Sequence, residues 1–287
     1  MPTTTNNFEK TEKLESNGRP VLRWAGSKRK LLPRLLQYTP GSFRRYIEPF
    51  AGSACLFAAL QPKRAILGDL NNDLIHAYSM IAADPDAIAA IVLKYPRSSA
   101  AYYKARSLNP ADLSDLERAG RFVYLNRHCF NGVYRTNKAG TFNVPMGSKL
   151  SPLPTVDHFR HWAQLLKNVK LVAGDFDLCV KKAGAGDFVY LDPPYALNDE
   201  RFRGEYGYGS FNSSDLGRLA AALHHLDLKG ATFLLSYRCK KSVRNLLRVW
   251  HQRTLEVRRH VSGFSGGRSN VRELLISNRE LPSKGEL

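Results

Sequence analysis

From Val21 to Ile81, short apolar runs alternate with stretches of helical periodicity. Tyr46-Ile47 is an apolar run of strand length, Phe50-Ala51-Gly52-Ser53 a turn of small residues, Ala54 to Leu60 a helical run and Ala65-Ile66-Leu67 a second strand, with a helix starting near Asn72. Strand, helix, strand predicts a parallel unit, because parallel neighbours need a crossover and a helix supplies it. From Asp84 to Asn126 the pattern changes. Asp84-Pro85 reads as an N-cap followed by a first-turn proline. Helical spacing then runs through Ile88, Ile91 and Val92, and again through Leu113, Leu116, Phe122 and Leu125, which predicts a helical insertion. It leads into Phe130 to Pro145, where Asn137-Lys138-Ala139-Gly140 between Tyr134 and Phe142 predicts a hairpin.

The alternation then resumes with a helix near Val156 to Lys167, strands Val169 to Ala173 and Phe188 to Leu191, a helix Asp215 to Leu226 and a strand Thr232 to Ser236. After a basic helix around Lys240 to Trp250 come two strand-like runs, Leu255 to Val261 and Val271 to Ser277. The link Ser262 to Asn270 is too short for a crossover helix, so these two form an antiparallel terminal hairpin. The expected fold is therefore α/β: a doubly wound, mostly parallel seven-stranded sheet closed by an antiparallel hairpin and carrying a helical insertion. Residues 1–18 lack periodicity and read as a flexible arm, and 281–287 as a flexible tail.

The 287 residues are 43% hydrophobic and 24% charged, which suits a globular chain of one large or two modest domains and excludes a disordered or fibrous one. The charge changes the picture more. Lys plus Arg number 43 against 25 Asp plus Glu, a net +18, the footprint of a protein that binds a polyanion, nucleic acid first. No run approaches a membrane span, and the polar start has no apolar signal core, so a membrane role is not expected and the cytoplasm is. Cys55, Cys129, Cys179 and Cys239 lie far apart with no metal spacing, so neither a zinc site nor a disulfide framework is indicated.

Asp192-Pro193-Pro194-Tyr195 follows the apolar strand Phe188 to Leu191. At about 5% proline usage, a tetrapeptide of this kind arises by chance in a chain this long on the order of one or two times in a hundred. Two prolines fix φ and remove two N–H donors at the carboxyl end of a strand, where open α/β sheets bind ligands. An exocyclic amine on a base is a poor nucleophile, since its lone pair is delocalised into the ring. The Asp192 carboxylate and the Pro193 carbonyl can accept its two hydrogens and aim that lone pair at an electrophile. Tyr195 can stack on a base that has left its duplex. Glu48-Pro49-Phe50-Ala51-Gly52-Ser53-Ala54 follows the first strand with small residues that let a ligand approach the backbone. Asp69 ends the second strand about 20 residues later, where an acid accepts from ribose hydroxyls or caps the next helix.

These motifs resemble the Dam-like (D12) class of DNA N6-adenine methyltransferases, which use S-adenosylmethionine. The likeness extends from Leu22 to Ser277. It rests on Leu22-Arg23-Trp24-Ala25-Gly26-Ser27-Lys28, Glu48 to Ala54, Gly68-Asp69-Leu70-Asn71, Tyr124 to Arg127 with Phe130-Asn131-Gly132, Phe142 to Gly147, and Asp192 to Tyr195. The resemblance implies that Trp24, Lys28, Glu48, Phe50 and Gly52 belong to the cofactor site, with Lys28 toward the methionyl carboxylate and Asp69 toward the ribose. It puts Asp175 and Phe176 beside the cofactor adenine, and Asp192 at both the cofactor and the target base. Pro193, Pro194 and Tyr195 complete the catalytic turn, and no metal is required. Two positions depart from the family: Ser27 stands where Gly is frequent, and Ala54 where a second Gly would give the cofactor more room.

The resemblance further implies a DNA-recognition segment at 84–150, between the methyltransferase halves 19–83 and 151–280. Phe130, Asn131, Arg135 and Lys138 are its candidate DNA contacts, and Arg23, which adjoins the cofactor motif, is a second candidate for base contact. Lys240, Lys241, Arg244, Arg248, Arg253, Arg258 and Arg259 either hold phosphates or solvate a helix and edge strand. The expected reaction is methyl transfer to N6 of an extruded adenine in duplex DNA, in a short palindrome such as GATC. Cytosine N4, an RNA adenine and an inactive DNA-binding relative are the alternatives. A restriction endonuclease counterpart and a monomer or weak dimer on DNA, among the nucleoid, complete the expectation.

Overall fold

The computed structural model describes residues 19–137, 140–195, 211–258 and 270–282. The arm 1–18, Lys138, Arg259 and residues 283–287 lie outside the described residues. Seven strands, β1 (Arg45–Glu48), β2 (Ala65–Asp69), β3 (Val169–Ala173), β4 (Asp187–Leu191), β5 (Thr232–Arg238), β6 (His251–Arg258) and β7 (Asn270–Ser277), form one sheet in the order β3-β2-β1-β4-β5-β7-β6. The pairs β1–β2, β2–β3, β1–β4 and β4–β5 are parallel, whereas β5–β7 and β6–β7 are antiparallel. The mostly parallel sheet with its terminal hairpin is the expected one.

Both faces of the sheet are covered, which explains the near-continuous apolar strands. Tyr46, Leu67, Phe188, Tyr190 and Leu234 face α1 (Leu32–Gln37), α2 (Cys55–Leu60), α3 (Asn72–Ala83), α4 (Pro85–Lys94) and α7 (Val156–Leu166) in one core. Their sequence neighbours Ile47, Ile66, Val189, Leu191 and Leu235 face α8 (Asp177–Val180), α9 (Ser213–Leu228) and α10 (Lys241–Leu246) in the other. Between α4 and α7 lie α5 (Ser99–Ser107) and α6 (Asp115–His128). The helices of the 84–150 segment do not form a separate body, since Ile88, Val92, Ala119, Phe122 and Val123 share the main core. Tyr102, Ala105, Tyr124, Leu125, Cys129 and Val144 make a small core of their own.

The expected hairpin near Asn137 is reduced to one isolated bridge, Thr136 to Phe142, around a turn in which Asn137 Oδ1 accepts from Thr141 N at 2.9 Å. The basic helix expected over Lys240 to Trp250 stops at Leu246, and β6 begins at His251, four residues before Leu255. Trp250, 7% exposed, packs edge-on to Phe233 at 5.4 Å and turns the chain, and pairing with β7 from Ser277 outweighs helix propensity. The sequence pattern gave no sign of α1, α8 or the 3-10 turn Lys28–Leu31. Among the described residues no helix is long and apolar enough to cross a membrane.

Candidate active site

The sheet order reverses at β1, with β2 on one side and β4 on the other, so loops leaving the carboxyl ends of β1 and β4 diverge and leave a crevice. Asp192 to Tyr195 leave β4 there, Pro49 to Ala54 leave β1, Asp69 ends β2 and Gly174 to Phe176 leave β3. The topology thus gathers the candidate catalytic and cofactor residues on one edge.

The tightest contact is between two distant motifs. Lys28 Nζ donates to Asp192 Oδ1 at 2.5 Å and lies 3.2 Å from Glu273 Oε1. Lys28 is 5% exposed and Glu273 fully buried. The Tyr195 hydroxyl donates to the Glu273 carboxylate at 3.1 Å and accepts from Lys28 at 3.5 Å, and Ser236 Oγ donates to Glu273 Oε1 at 2.8 Å. Burial alone would pull the Lys28 ammonium down, but Asp192, Tyr195 and Glu273 outweigh it and hold the group well above the usual lysine range. The Tyr195 ring is further held edge-on by Tyr237 at 5.4 Å. Lys28, expected toward a cofactor carboxylate, therefore sits against the Asp192 turn.

The loop after β1 is fixed by Asp69, whose Oδ2 accepts from Gly52 N at 3.0 Å and whose Oδ1 accepts from Asn71 N at 2.9 Å. Burial raises the Asp69 carboxyl to about 6 against the pull of those two N–H groups. Gly52 has φ +46°, and a Cβ there would meet Trp24 Cδ1 at 2.7 Å, so glycine is required by conformation and by space. Ala54 also adopts a left-handed conformation, φ 46°, without that licence. Trp24 stacks on Tyr134 at 6.0 Å, and Tyr134 donates to Asp73 at 3.0 Å. Glu48 is buried beneath, its Oε2 accepting from the Tyr46 hydroxyl at 2.9 Å. Burial pushes the Glu48 carboxyl well above the usual range, Tyr46 opposing and the charges of Asp192 and Asp69 adding to it.

Phe176 forms a second wall. It stacks on Phe50 at 5.3 Å and carries the Arg218 guanidinium over its ring at 4.8 Å. Arg218 clamps Asp175 and Asp177 at 2.7 Å each, and that hydrogen bond, outweighing partial burial, holds the Asp175 carboxyl below its ordinary value.

Of the candidate DNA contacts, Arg23 lies against the Phe130–Gly132 turn. The Arg23 backbone is clasped by Asn126, N to Oδ1 at 2.7 Å and O from Nδ2 at 2.7 Å, and its Nη1 donates to Arg127 O at 3.3 Å. Gly132, φ +67°, presses on Arg23, since a Cβ there would lie 2.8 Å from Arg23 Cβ. Phe130 is 46% exposed, unusual for a phenyl ring, and Asn131 beside it is left-handed at φ 52°. Arg135 Nε donates to Asn143 Oδ1 at 2.8 Å. Lys138 lies outside the described residues. The basic run is partly structural: Arg244 Nη1 donates to Thr254 Oγ1 at 3.3 Å and Arg253 Nη2 to Pro282 O at 2.8 Å.

Sequence reasoning passed over Glu273, Ser236 and Arg218. The available signal for Glu273 was a lone acid inside the apolar strand run Val271 to Ser277. Chemically, the site offers one ammonium between two carboxylates, an excess of negative charge suited to a cationic ligand. It also offers a carboxylate-aromatic turn able to accept from an amine and an aromatic wall where Phe50 stacks on Phe176.

The sequence profile of the family described as D12 class N6 adenine-specific DNA methyltransferase matches residues 24–261. The type II methyltransferase M1.LlaDCHI of Lactococcus lactis subsp. cremoris is 32% identical over 277 residues, covering 93% of this chain and 98% of the relative. The DNA adenine methylase of Escherichia coli (strain K12) is 32% identical over 266 residues, covering 90% and 94%. The retron Ec67 DNA adenine methylase of Escherichia coli is 30% identical over 260 residues, covering 89% and 90%.

Proposed function

The chain belongs to the D12 class of N6 adenine-specific DNA methyltransferases, and on that premise we propose that it moves a methyl group from S-adenosylmethionine to N6 of an adenine flipped out of duplex DNA, within a short palindrome such as GATC. The observation that carries the reading is the contact of Lys28 with Asp192 at 2.5 Å, which joins the amino-terminal motif to the Asp-Pro-Pro-Tyr turn at the switch point of the sheet.

The residues fit the cofactor. Asp69 spends one lone pair of each oxygen on Gly52 and Asn71 and keeps the others for ribose hydroxyls. Phe50, Phe176 and Asp175 suit the adenine, and Trp24, Glu48 and the Gly52 loop line the approach. The excess negative charge of Asp192 and Glu273 over Lys28 complements a sulfonium. When bound, S-adenosylmethionine supplies an electrophilic methyl with a neutral thioether as leaving group.

This chain's residues supply position and polarisation. Lys28 holds Asp192 Oδ1, which favours a carboxylate that accepts hydrogen bonds over one that takes a proton, and we assign Lys28 to that task instead of the methionyl carboxylate. Asp192 and the Pro193 carbonyl accept from the target amine, Pro194 stiffens the turn, and Tyr195, tied by its hydroxyl to Glu273, stacks on the extruded base. Residues 19–83 and 151–280 carry the methyl-transfer site, and 84–150, packed on the same core, carries the target-reading loops. Within it Arg135 is suited to base edges, Phe130 to the vacated stack, and Asn131 and Lys138 to the backbone, with Arg23 of the amino-terminal motif a second base-edge candidate. Similarity to a type II methyltransferase supports a restriction endonuclease counterpart.

The test is incubation with S-adenosylmethionine and plasmid DNA, digestion to nucleosides and mass spectrometry, with Asp192→Ala as the control. N6-methyldeoxyadenosine from the wild type, falling ~10²–10⁴-fold in the variant while DNA binding persists, is the expected result. Methylcytosine, methylated RNA only, or wild-type kcat in the variant would overturn it.

A further inference from the structure

We propose that the amino-terminal edge of the sheet carries a second duplex-DNA site, a backbone-binding groove on the opposite side of the protein from Asp192. The inference rests on the DNA reading above and goes beyond its site. A groove of about 990 Å³ is lined by Arg45, Lys63, Arg64, Lys167, Lys170 and Lys182, and among the described residues no acidic side chain lines it. Arg45 opens β1, Arg64 precedes β2, Lys167 precedes β3 and Lys170 lies on β3, so the groove follows the starts of the strands whose ends carry the active site.

Most of its charges have no acidic partner among the described residues. Among the described residues the one acid tied to the six is Asp187, 2.7 Å from Arg45 and shared with Arg44. Lys182 Nζ turns back to the Leu178 carbonyl. Lys63, Arg64, Lys167 and Lys170 are exposed and make no ion pair or side-chain hydrogen bond among the described residues. Like charges converging on a concave surface repel one another and focus a positive potential, and the fold gains nothing from that convergence. An anion with many regularly spaced charges relieves it.

The lining chooses among polyanions. Among the described residues it holds no aromatic ring, so there is no platform for unstacked bases and no wedge for a lipid surface. Lysine ammoniums are point charges that meet phosphates without reading sequence. Duplex backbone is the occupant this chemistry fits, and it is the polymer the family acts on. One straight duplex cannot serve both edges. The five residues of β2 separate them by about 16 Å at roughly 3.3 Å per residue, and wrapping a short site around the sheet would require a sharp bend. The groove therefore takes a second segment, distant on the same molecule or on another, and holds it near the catalytic edge.

The test counts duplexes of about 14 base pairs bound per chain by sedimentation at about 50 mM salt without methyl donor, alongside methylation of the same duplex. The wild type is expected to bind two and Lys63→Glu/Lys167→Glu/Lys170→Glu one, with methylation of the short duplex within about twofold. Three or four phosphate contacts predict a loss of the second equivalent's affinity by about 40- to 150-fold between about 50 and 200 mM salt. One duplex on the wild type, two on the charge-reversed protein, or an RNA hairpin outcompeting DNA at this equivalent would overturn the proposal. Because the count needs no turnover, a protein that methylated nothing yet lost one equivalent on charge reversal would refute the catalytic reading and leave the groove standing.

Discussion

Glu273→Ala removes the acceptor shared by Lys28, Tyr195 and Ser236. Lys28, 5% exposed, would keep one counter-charge, and the Tyr195 and Ser236 hydroxyls would lose this acceptor. Deleting one member of a buried ion pair costs about 3–5 kcal/mol when the survivor is stranded; Lys28 keeps Asp192, so the loss comes from one attraction and two hydrogen bonds and is about 3 kcal/mol. Against a total stability of about 5–15 kcal/mol this is a large fraction. For 287 residues at about 2.1 cal/mol/K each, the entropy of unfolding is about 0.6 kcal/mol/K, so Tm should fall by about 5 °C. Activity should fall further than stability, by about 10²-fold in kcat at a temperature where the variant is folded, since Tyr195 and Asp192 lose their fixed positions. Lys28→Met alone should be similarly costly. The double variant should cost less than the two single losses together, with a coupling of at least about 1.5 kcal/mol, because the buried Lys28–Glu273 pair is then gone from both sides and the loss at Asp192 is the same as in Lys28→Met alone. Circular-dichroism melts of the four proteins with single-turnover methylation give both readings. Single losses below about 1 kcal/mol, or strict additivity, would refute the account of this network.

Asp69, with its carboxyl raised to about 6, must be ionised to accept strongly from a ribose. S-adenosylmethionine affinity by calorimetry should therefore weaken about fourfold from pH 7.5 to 5.5, as the ionised fraction falls with protonation, and Asp69→Asn should start weaker and stay flat. Ala54→Gly relieves a left-handed alanine and should gain about 1 kcal/mol, a rise of about 1–2 °C in Tm; an unchanged or lower Tm would mean that the buried methyl contributes more than its strain costs. Arg135→Ala should relax the methylation motif at one base pair, at ~1–3 kcal/mol, in plasmid-wide site mapping; an unchanged motif would move base reading to Arg23.

The parallel body was legible because its strands are buried on both faces. Phe188-Val189-Tyr190-Leu191 sends Phe188 and Tyr190 to one core and Val189 and Leu191 to the other, so a continuous apolar run of four already implied a covered strand. The edge was not legible. His251-Gln252-Arg253-Thr254 is polar at every position and follows a run of basic residues with helical spacing. Only its ladder to Leu274 through Ser277 on β7 makes it strand. Edge strands tolerate such polarity because one side faces solvent and charge there discourages further pairing.

The same contrast separates the site residues that could be read from those that could not. Asp192 and Asp69 announce themselves by following or ending parallel strands, whose carboxyl ends face one way. Glu273 sits near the start of its strand, where a parallel strand would have put it at the opposite edge. But β7 runs antiparallel to β5, pairing Glu273 with Arg238 at the carboxyl end of β5, and this reversal delivers a buried acid to the catalytic edge. The link between β6 and β7 was enough to predict the reversal, yet not the register. A slip of one residue would present a neighbour of Glu273 in its place and turn the acid to the other face. The terminal hairpin is thus part of the catalytic machinery in this reading. A variant that shifts the β5–β7 register should lose methylation while the parallel strands keep their fold.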